Sequence, residues 1–447
     1  MLALKQTNVK RRAAEAGWAL LAQGGRFVLQ GLSFVVLARA IKADGMGIIG
    51  GAMGLVNVFA PFCGWGGANL AQKYISRNVS NYGEYLGNAF VLLAISGVLC
   101  TALAVALGPV LLGDSFRWAL FLMLVASEML VLRLADIAAL LFAAVDRLDL
   151  TARVHLLGGL MRVAASLLCV FTTSHPSATG FAFWYLLTSL ITGIVSLVMI
   201  RTCLGHLGRP RSPVHLLKRS FSEGFFFSLG VASRSVYSDI DKTMLVRMST
   251  ASAAGVYTAA YRLITMAYVP AQAVLVASTS RLFCEGGKGV SHIARCARGI
   301  LPVLLAYAGL VGVGLFISAP LVPRLLGPSF GEASRVLRWL AWMPLIQVVH
   351  GLLGDVLMGV DRQSVRSASQ LAVAGLNIVL NLALIPRMSW RGAVIATYVS
   401  EGVLALTMVV LVAHLLLSGR GARETRDSVA AAELSGGASA GLVANPG

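Results

Sequence analysis

The sequence predicts an all-α integral membrane protein, with twelve transmembrane helices arranged as two pseudo-symmetric six-helix lobes around a central cavity. Three observations lead to this prediction. The 447 residues are 57% hydrophobic and only 13% charged, whereas about 25% of the residues in a soluble domain are usually charged. Apolar stretches long enough to cross a bilayer recur from one end of the chain to the other. Charged residues and glycines of the first half also recur at a fixed spacing in the second half.

The apolar stretches are about 18 to 25 residues long, which suits a helix that crosses the hydrocarbon core. They are expected to be helical because a bilayer offers no water to the backbone N–H and C=O groups. The predicted spans are 17–40, 46–66, 87–112, 117–145, 154–173, 179–201, 224–248, 255–280, 299–322, 337–359, 367–386 and 392–418.

The distribution of basic residues predicts the orientation in the membrane. Lysine and arginine concentrate in the first, third and later odd-numbered segments outside the spans. The alternate segments have few, such as Lys42, Arg117 and Arg387. The positive-inside rule then places both termini in the cytoplasm. The net charge of +18 is therefore interpreted as a topology signal and not as a nucleic-acid surface, which would need a basic face on a soluble domain.

No motif of a soluble enzyme was found in the sequence. The connections between the spans are short, and the chain has no phosphate-binding loop, no HExxH and no GxSxG. The six cysteines show no CxxC pairing, so they are expected to be packing residues or reduced thiols and not metal ligands or disulfides. The sequence thus favours a protein that is not an enzyme and needs no cofactor or metal.

The second half of the chain repeats features of the first half. Arg26 and Arg234 are 208 residues apart, as are Gly47 and Gly255. The segments VVLARAIKADGMGIIG and TMLVRMSTASAAGVYT align at the same offset. Each half would hold six spans and enter the membrane in the same direction, so the symmetry axis is expected to run along the membrane normal.

The spans and the repeat together predict five parts of the chain. The tail is rich in glycine, alanine and serine, a composition that favours disorder. The predicted parts are a cytoplasmic N-terminal segment 1–16, an N-terminal lobe 17–208, a cytoplasmic linker 209–223, a C-terminal lobe 224–418 and a disordered cytoplasmic tail 419–447.

The seventh span places charges on one side of a helix. At about 100° per residue, five polar residues fall within about half of the circumference of the segment SLGVASRSVYSDIDKTMLVRM: Arg234, Ser238, Asp239, Asp241 and Lys242. A charge that faces lipid near the bilayer centre costs about 2.5 to 3.5 kcal/mol. This face is therefore expected to point towards protein or water.

The first span has a matching polar face. Gln23, Arg26, Gln30 and Ser33 follow one another at spacings of three and four. Facing stripes from the two lobes would form a water-filled, positively charged cavity. The substrate-binding candidates are Arg26, Gln30, Arg234, Ser238, Asp239, Asp241, Lys242 and Arg262.

Two interpretations stay open for some of these charges. Asp239 and Lys242 are three residues apart and can neutralise each other. Glu128, Arg133 and Asp136 of the fourth span can likewise form a structural network. For these residues, structural and functional roles are weighed equally.

Other intramembrane polar residues receive a prediction of their own. Arg26 and Arg234 have no acidic partner one turn away, which favours a ligand role for both. Asn377 and Asn381 are expected to form hydrogen bonds between helices. The segment 47–54 contains overlapping GxxxG patterns and is expected to be a packing surface.

Three segments show a family resemblance: DIDKTMLVRMSTASAAGVYTAAYRL from Asp239, LLGPSFGEASRVLRWLAWMPL from Leu325, and NIVLNLALIPRMSWRGAVIATYVSE from Asn377 to Glu401. With them, nearly the whole chain resembles the polysaccharide flippase family, the O-antigen and exopolysaccharide branch of the superfamily that includes multidrug and toxin extrusion transporters. One departure follows Pro386, where relatives often have Tyr-Gly and this chain has Arg-Met-Ser-Trp.

The resemblance implies a flippase that turns an undecaprenyl-pyrophosphate-linked oligosaccharide from the cytoplasmic to the periplasmic face of a bacterial inner membrane. Such a protein serves lipopolysaccharide or exopolysaccharide biosynthesis by alternating access. The partners it implies are the lipid-linked glycan, membrane lipids and a polysaccharide polymerase or export complex, with no nucleic acid.

Two further function classes are weighed against the flippase. A multidrug antiporter of the same superfamily commonly has a carboxylate in its first helix, whereas this chain has no acid between Gly17 and Ile41. A glycan polymerase or ligase would be an enzyme and usually has a large periplasmic loop, which this sequence lacks. The absence of both features favours the flippase.

Overall fold

The computed structural model describes the backbone of residues 2–76, 82–205, 214–287 and 289–439, and the side chains of residues 24–72, 74–76, 82–205, 228–229, 231–287 and 289–418. The chain is all-α over the described residues, and no strand occurs among them. The all-α class that the sequence predicts is confirmed.

The elements are numbered in chain order. In the first half they are α1 Leu2–Phe59, α2 Gly67–Ile75, α3 Tyr82–Leu112, α4 Trp118–Val125, a π-helical segment Ala126–Val131, α5 Leu132–Ala144, α6 Leu148–Thr172, α7 Ala178–Leu204 and α8 Val214–Met248. The remaining helices are α9 Ala251–Gly286, α10 Val290–Ser318, α11 Val322–Leu326, α12 Ala333–Leu340, α13 Met343–Gly359, α14 Gln363–Met388 and α15 Trp390–Ser439.

The twelve predicted spans fall mostly on helical segments, with short turns at 63–66 and 341–342. By length and composition alone, eight helices of the described residues could cross a membrane, or nine if α12 and α13 form one span. The count is lower than twelve for local reasons. The first two predicted spans lie in the two halves of α1 and are counted together, the fourth is interrupted by the π-helical segment, and α8 contains several charges.

A kink divides α1 at Lys42. The backbone there has φ 60° and ψ −174°, a left-handed conformation that non-glycine residues rarely adopt. Lys42 lies between the first predicted span, 17–40, and the second, 46–66. The sequence therefore located the break correctly, and α1 consists of two helices that meet at this kink.

Glycines let the second half of α1 pack directly against α8 and α9. A Cβ atom on Gly47 would lie 1.7 Å from the carbonyl oxygen of Ala251, and a Cβ atom on Gly255 would lie 1.9 Å from the carbonyl oxygen of Ala43. Gly47 is equivalent to Gly255, and Ala43 to Ala251, because the members of each pair are 208 residues apart in the sequence (255 − 47 and 251 − 43). The contact is reciprocal, as expected of a duplicated structure.

The same surface continues along α1. A Cβ atom on Gly51 would lie 2.6 Å from Cγ2 of Val246, and one on Gly54 would lie 2.5 Å from the carbonyl oxygen of Asp239. The Thr243 hydroxyl donates a hydrogen bond of 2.7 Å to the carbonyl oxygen of Gly51. The glycines of 47–54 thus form the predicted packing surface.

The contacts of the chain cluster into two compact units. The first unit comprises Met1–Met266, Gly314–Ala341 and Gln370–Ser400. The second comprises Ala267–Val313, Trp342–Ser369 and Glu401–Gly447. This clustering follows contact density, and the predicted division into lobes 17–208 and 224–418 stays a prediction.

Three predicted features fall partly outside the described residues. Residues 214–223 of the predicted linker belong to α8, whereas 209–213 lie outside the described residues. Helix α15 continues to Ser439, so helical backbone enters the predicted tail, and 440–447 lie outside. The side chain of Gln23 lies outside as well.

Candidate functional site

The site begins with a polar cavity among the helices of the first half, called here the N-terminal cavity. Its volume is about 140 Å³. The helices α1, α5, α6 and α7 and the π-helical segment contribute its lining. The ionisable and hydroxyl side chains that line it are Arg26, Glu128, Arg133, Asp136, His155, Arg162, Tyr185, Thr188, Ser189 and Thr192, together with the amide of Gln30.

The π-helical segment places Glu128 at this cavity. Segments of this kind are rare, occur mostly as single wide turns within α-helices, and are frequent at functional sites. The Glu128 side chain is 13% exposed. An acid so enclosed needs a charged or hydrogen-bonding partner.

Arg162 and Tyr185 supply these partners. Nη2 of Arg162 lies 3.0 Å from Oε1 of Glu128 and donates a hydrogen bond of 2.8 Å to the Tyr185 hydroxyl. The Tyr185 hydroxyl donates to the same Glu128 oxygen at 2.5 Å. The three side chains form a closed triangle, and 27% of the Arg162 side chain is still exposed.

Arg133 and Asp136 form a second ion pair on the cavity wall. Nη1 of Arg133 lies 2.9 Å from Oδ2 of Asp136. Nε of Arg133 donates a hydrogen bond of 3.2 Å to the carbonyl oxygen of Glu128. The sequence grouped these three residues as a network. The structure confirms the Arg133–Asp136 pair, whereas the Glu128 carboxylate pairs with Arg162, which sequence reasoning did not identify as its partner.

Two predicted residues from opposite halves of the chain meet beside the cavity. Nη2 of Arg262 on α9 donates a hydrogen bond of 2.9 Å to Oε1 of Gln30 on α1. Arg26, one turn before Gln30, lines the cavity and makes no ion pair with any side chain that the structure describes. Three arginines and two acids line the N-terminal cavity, so positive charge is in excess there.

The charges of α8 largely neutralise one another. Lys242 forms an ion pair with Asp239 and donates a hydrogen bond of 3.0 Å to the carbonyl oxygen of Ser238. Its Nζ atom lies 4.4 Å from the centre of the Tyr261 ring. Nδ2 of Asn57 on α1 donates a hydrogen bond of 3.3 Å to Oδ2 of Asp239. The predicted i, i+3 pair therefore exists, and it also fastens α8 to α1.

Asp241 lies in the packed interior and not at the N-terminal cavity. It is fully buried and accepts two hydrogen bonds. One comes from the Tyr257 hydroxyl, and the other, of 2.8 Å, comes from the backbone N–H of Lys242. The Tyr257 hydroxyl lies 3.0 Å from Oγ1 of Thr397 on α15. The periodicity of α8 grouped Asp241 with its charged neighbours, but α9 and α15 cover its position.

Arg234 does not share the N-terminal cavity with Arg26. A second cavity of about 320 Å³ lies beside the first and shares Arg133, Asp136 and His155 with it. Helix α8 lines this second cavity at Ser228 and Val231. Arg234 follows one turn later, is exposed, and lines neither cavity.

Further polar side chains of the predicted spans meet within the second unit. Nη1 of Arg366 forms an ion pair with Asp355, at 3.3 Å from Oδ1, and Nε2 of His350 lies 2.6 Å from Oε2 of Glu401. Both pairs join different helices. They are consistent with a structural role for these charges, outside the N-terminal cavity.

Sequence comparison identifies a family and a curated relative. The family model described as "Polysaccharide biosynthesis protein" matches residues 13–279. A probable low-salt glycan biosynthesis flippase of Haloferax volcanii is 26% identical over 403 residues, which cover 87% of this chain and 80% of the relative.

Solved structures of transporters share the fold. An inward-facing conformation of a multidrug resistance MATE family transporter of the MOP superfamily matches with a TM-score of 0.73 at 15% identity, over 87% of this chain and 95% of that one. An outward-facing conformation of such a transporter matches with a TM-score of 0.63 at 15% identity, over 91% and 96%. The predicted fold class is confirmed by these matches, which at this identity concern the fold alone.

Proposed function

The chain belongs to the polysaccharide biosynthesis protein family, and we propose that it is a flippase that moves a lipid-linked glycan across the membrane. Family membership, the glycan flippase among its relatives and the transporter fold support this function. Apolar helices long enough to cross a bilayer place such a protein in a membrane.

The excess of arginine in the N-terminal cavity carries the proposal. Arg26, Arg133 and Arg162 all line this cavity. Guanidinium groups bind phosphate oxygens in a bidentate manner, and the contact is strong where water is scarce. We assign this cavity to the phosphate group of the transported lipid, with Gln30 and Arg262 at its edge.

A hydroxyl-rich wall suits the sugar part of the same molecule. Thr188, Ser189 and Thr192 line the cavity along one face of α7. Hydroxyl side chains can both donate and accept hydrogen bonds, as sugar hydroxyls do. The polyprenyl tail would stay in the surrounding lipid because it is entirely apolar.

We propose undecaprenyl pyrophosphate as the carrier and transport from the cytoplasmic to the outer leaflet. The direction is the one that the family resemblance implies, and a bacterial inner membrane with both termini in the cytoplasm is the proposed location. A polysaccharide polymerase or export complex would receive the glycan. The protein would act by alternating access and without chemical conversion of its cargo.

The closed triangle around Glu128 suggests how the cavity accepts and releases its cargo. Glu128 and Tyr185 hold Arg162 and prevent an unpaired charge in the protein interior. A phosphate group would compete with the Glu128 carboxylate for the guanidinium. We propose that Arg162 exchanges Glu128 for phosphate on binding and returns to it on release.

The predicted α8 residues receive a different role. Ser238, Asp239, Asp241 and Lys242 contact one another, α1 or α9, so we propose that they hold these helices together. Arg234 is exposed and remains a candidate for contact with the cargo outside the cavity.

The arginines also argue against a multidrug antiporter. Cationic drugs would be repelled by a cavity in which arginines outnumber acids. The first span has no acid that could couple a cation to transport. These features favour an anionic cargo despite the fold shared with multidrug transporters.

The experiment that tests the function uses the purified protein in vesicles with a fluorescent polyprenyl-diphosphate oligosaccharide. A membrane-impermeant quencher should reach about half of the fluorescence in protein-free vesicles and nearly all of it with the protein. Arg162→Gln should slow transport roughly tenfold, equivalent to about 1.4 kcal/mol. Arg117, which is exposed and lines neither cavity of the first half, provides the control Arg117→Gln. Movement of a cationic dye without movement of the lipid would refute the proposal.

A further inference from the structure

A second group of arginines lies in the second half of the chain, among α10, α12 and α15. It is called here the arginine–tryptophan patch and consists of Phe316, Arg335, Arg338, Trp339, Trp390 and Arg391, which line a shallow cavity of about 280 Å³. These six residues all belong to the first compact unit. None of them lines the N-terminal cavity.

Helix α12 presents two contrasting faces at the patch. Its apolar residues Ala333, Val336, Leu337 and Leu340 are buried, whereas Arg335, Arg338 and Trp339 are exposed. A short amphipathic helix with arginine and tryptophan on its open side is typical of the membrane interface. Helix α12 lies between α10, which is long and apolar enough to cross a membrane, and α13, from which it is bent by 41°.

Aromatic rings hold two of the arginines in place. The Trp339 and Trp390 rings meet edge to face with centres 6.3 Å apart. The guanidinium carbon of Arg391 lies 5.5 Å from the Trp390 ring centre, and that of Arg338 lies 5.6 Å from the Phe316 ring centre. Such contacts favour a cation above the ring, so the guanidinium groups are already positioned for a ligand.

The patch has too few acids to neutralise its arginines. Glu332 accepts a hydrogen bond of 3.2 Å from the Trp390 indole and lies 3.8 Å from Arg335. Arg338 and Arg391 are exposed and form no ion pair with the side chains that the structure describes. Two guanidinium groups are thus available to bind an anion.

The surface next to the patch is apolar and open. Phe316, Ile317 and Leu321 are 45%, 71% and 52% exposed. In a membrane protein such a surface contacts acyl chains, so it suits an anion that is joined to a hydrocarbon tail. This continuity distinguishes a lipid from a soluble phosphate.

We propose that the arginine–tryptophan patch binds the headgroup of an anionic phospholipid. Arg338 and Arg391 bind the phosphate oxygens in a bidentate manner, Trp339 lies at the level of the headgroup, and the acyl chains run along Phe316 and Ile317. In the predicted orientation this is the outer leaflet. The inference stands apart from the proposed function, because no residue of the patch takes part in the cargo site.

The experiment measures lipid binding to the full-length purified chain by native mass spectrometry, with phosphatidylglycerol and phosphatidylcholine as the two probes. Phosphatidylglycerol is expected to bind about tenfold more tightly, as the gain of a charge-assisted contact predicts. The double variant Arg338→Gln/Arg391→Gln should lose this preference, and its binding of phosphatidylcholine should not change. Equal binding of the two lipids by the unaltered protein would overturn the proposal.

Two further variants exclude simpler explanations. The matched control Arg117→Gln/Arg147→Gln removes two positive charges elsewhere and should keep the preference for phosphatidylglycerol. A similar loss of this preference in the control would mean that net charge alone attracts the lipid, which would overturn the proposal. The double variant Arg338→Lys/Arg391→Lys should keep part of the preference, because the charge remains but the planar fork is lost. In a third arm, polyprenyl diphosphate that displaces phosphatidylglycerol from this patch would assign the site to the cargo and overturn the phospholipid.

Discussion

Gly47 and Gly255 lie against each other, and the two glycines occupy equivalent positions in the first and second halves of the chain. A Cβ atom on Gly47 would lie 2.9 Å from the backbone nitrogen of Gly255, and a Cβ atom on Gly255 would lie 3.0 Å from that of Gly47. Near-equal distances in both directions indicate a local two-fold relationship. The contact therefore supports the duplication inferred from the 208-residue spacing.

A side chain at this contact should be poorly tolerated. The Cβ atom of Gly47→Ala would lie 1.7 Å from the carbonyl oxygen of Ala251, so the two helices must move apart. Overpacking typically costs about 1 to 3 kcal/mol, and thermal unfolding of the purified protein in detergent should show a lower Tm. Gly375→Ala on α14 is the control, since no atom lies within 4 Å of that Cβ position. An unchanged Tm for Gly47→Ala would show that the contact is not close in the membrane protein.

The Glu128–Arg162 pair should show strong coupling in a double-mutant cycle. Glu128→Gln or Arg162→Gln leaves one enclosed charge unpaired, which costs about 3 to 5 kcal/mol in buried pairs, with the lower end expected here because Arg162 is partly exposed. The double variant should lose less than the sum of the two single variants.

Reversible unfolding in micelles measures this cycle. The exposed pair Glu332 and Arg335, 3.8 Å apart, is the control and should show about 0 to 1 kcal/mol of coupling. Additive losses for Glu128 and Arg162 would contradict the triangle seen at the cavity.

Arg26 should matter more for transport than Arg234. Arg26 lines the N-terminal cavity, whereas Arg234 lines neither cavity of the first half. In the vesicle assay, Arg26→Gln is expected to slow transport roughly tenfold, and Arg26→Lys should recover part of the rate because a charge without the fork remains. Arg234→Gln should have the smaller effect. The reverse order would move the cargo site to α8.

The Tyr257 hydroxyl should contribute to stability through Asp241. Tyr257→Phe removes the hydrogen bond to a fully buried carboxylate, and a buried group left without a partner costs about 1 to 3 kcal/mol. Tyr307→Phe removes a hydrogen bond of 2.8 Å to the carbonyl oxygen of Ala267 and should cost less, because that acceptor is neutral. Equal losses of unfolding free energy in the two variants would contradict the charge-assisted bond.

The sequence predicted the features that depend on local pattern. Hydrophobic length located the long helices, and the break near Lys42 followed from the short polar segment between two predicted spans. The GxxxG patterns of 47–54 identified a packing surface, because only small residues allow such close approach. The pairing of Asp239 with Lys242 followed from their spacing of three.

Features that depend on the packing of distant segments could not be predicted. Glu128 and Arg162 are 34 residues apart on different elements, and no spacing rule joins them. Asp241 shares a polar face with Asp239 on α8, but the position of Tyr257 decides that it is buried. The meeting of Gln30 with Arg262 likewise depends on how α9 lies against α1.

The wide turn at Ala126–Val131 has a consequence for any comparison of this chain with its relatives. Its i to i+5 hydrogen bonds admit an extra residue per turn, so the side chains of α4 and those of α5 follow separate rotational phases although they belong to one predicted span. A single helical wheel drawn through 117–145 would therefore place the side chains of one of the two parts about 100° from their actual direction. In an alignment, a relative with a one-residue gap within this segment would lack the wide turn. The residue that it has in place of Glu128 would then be displaced from the position that faces Arg162.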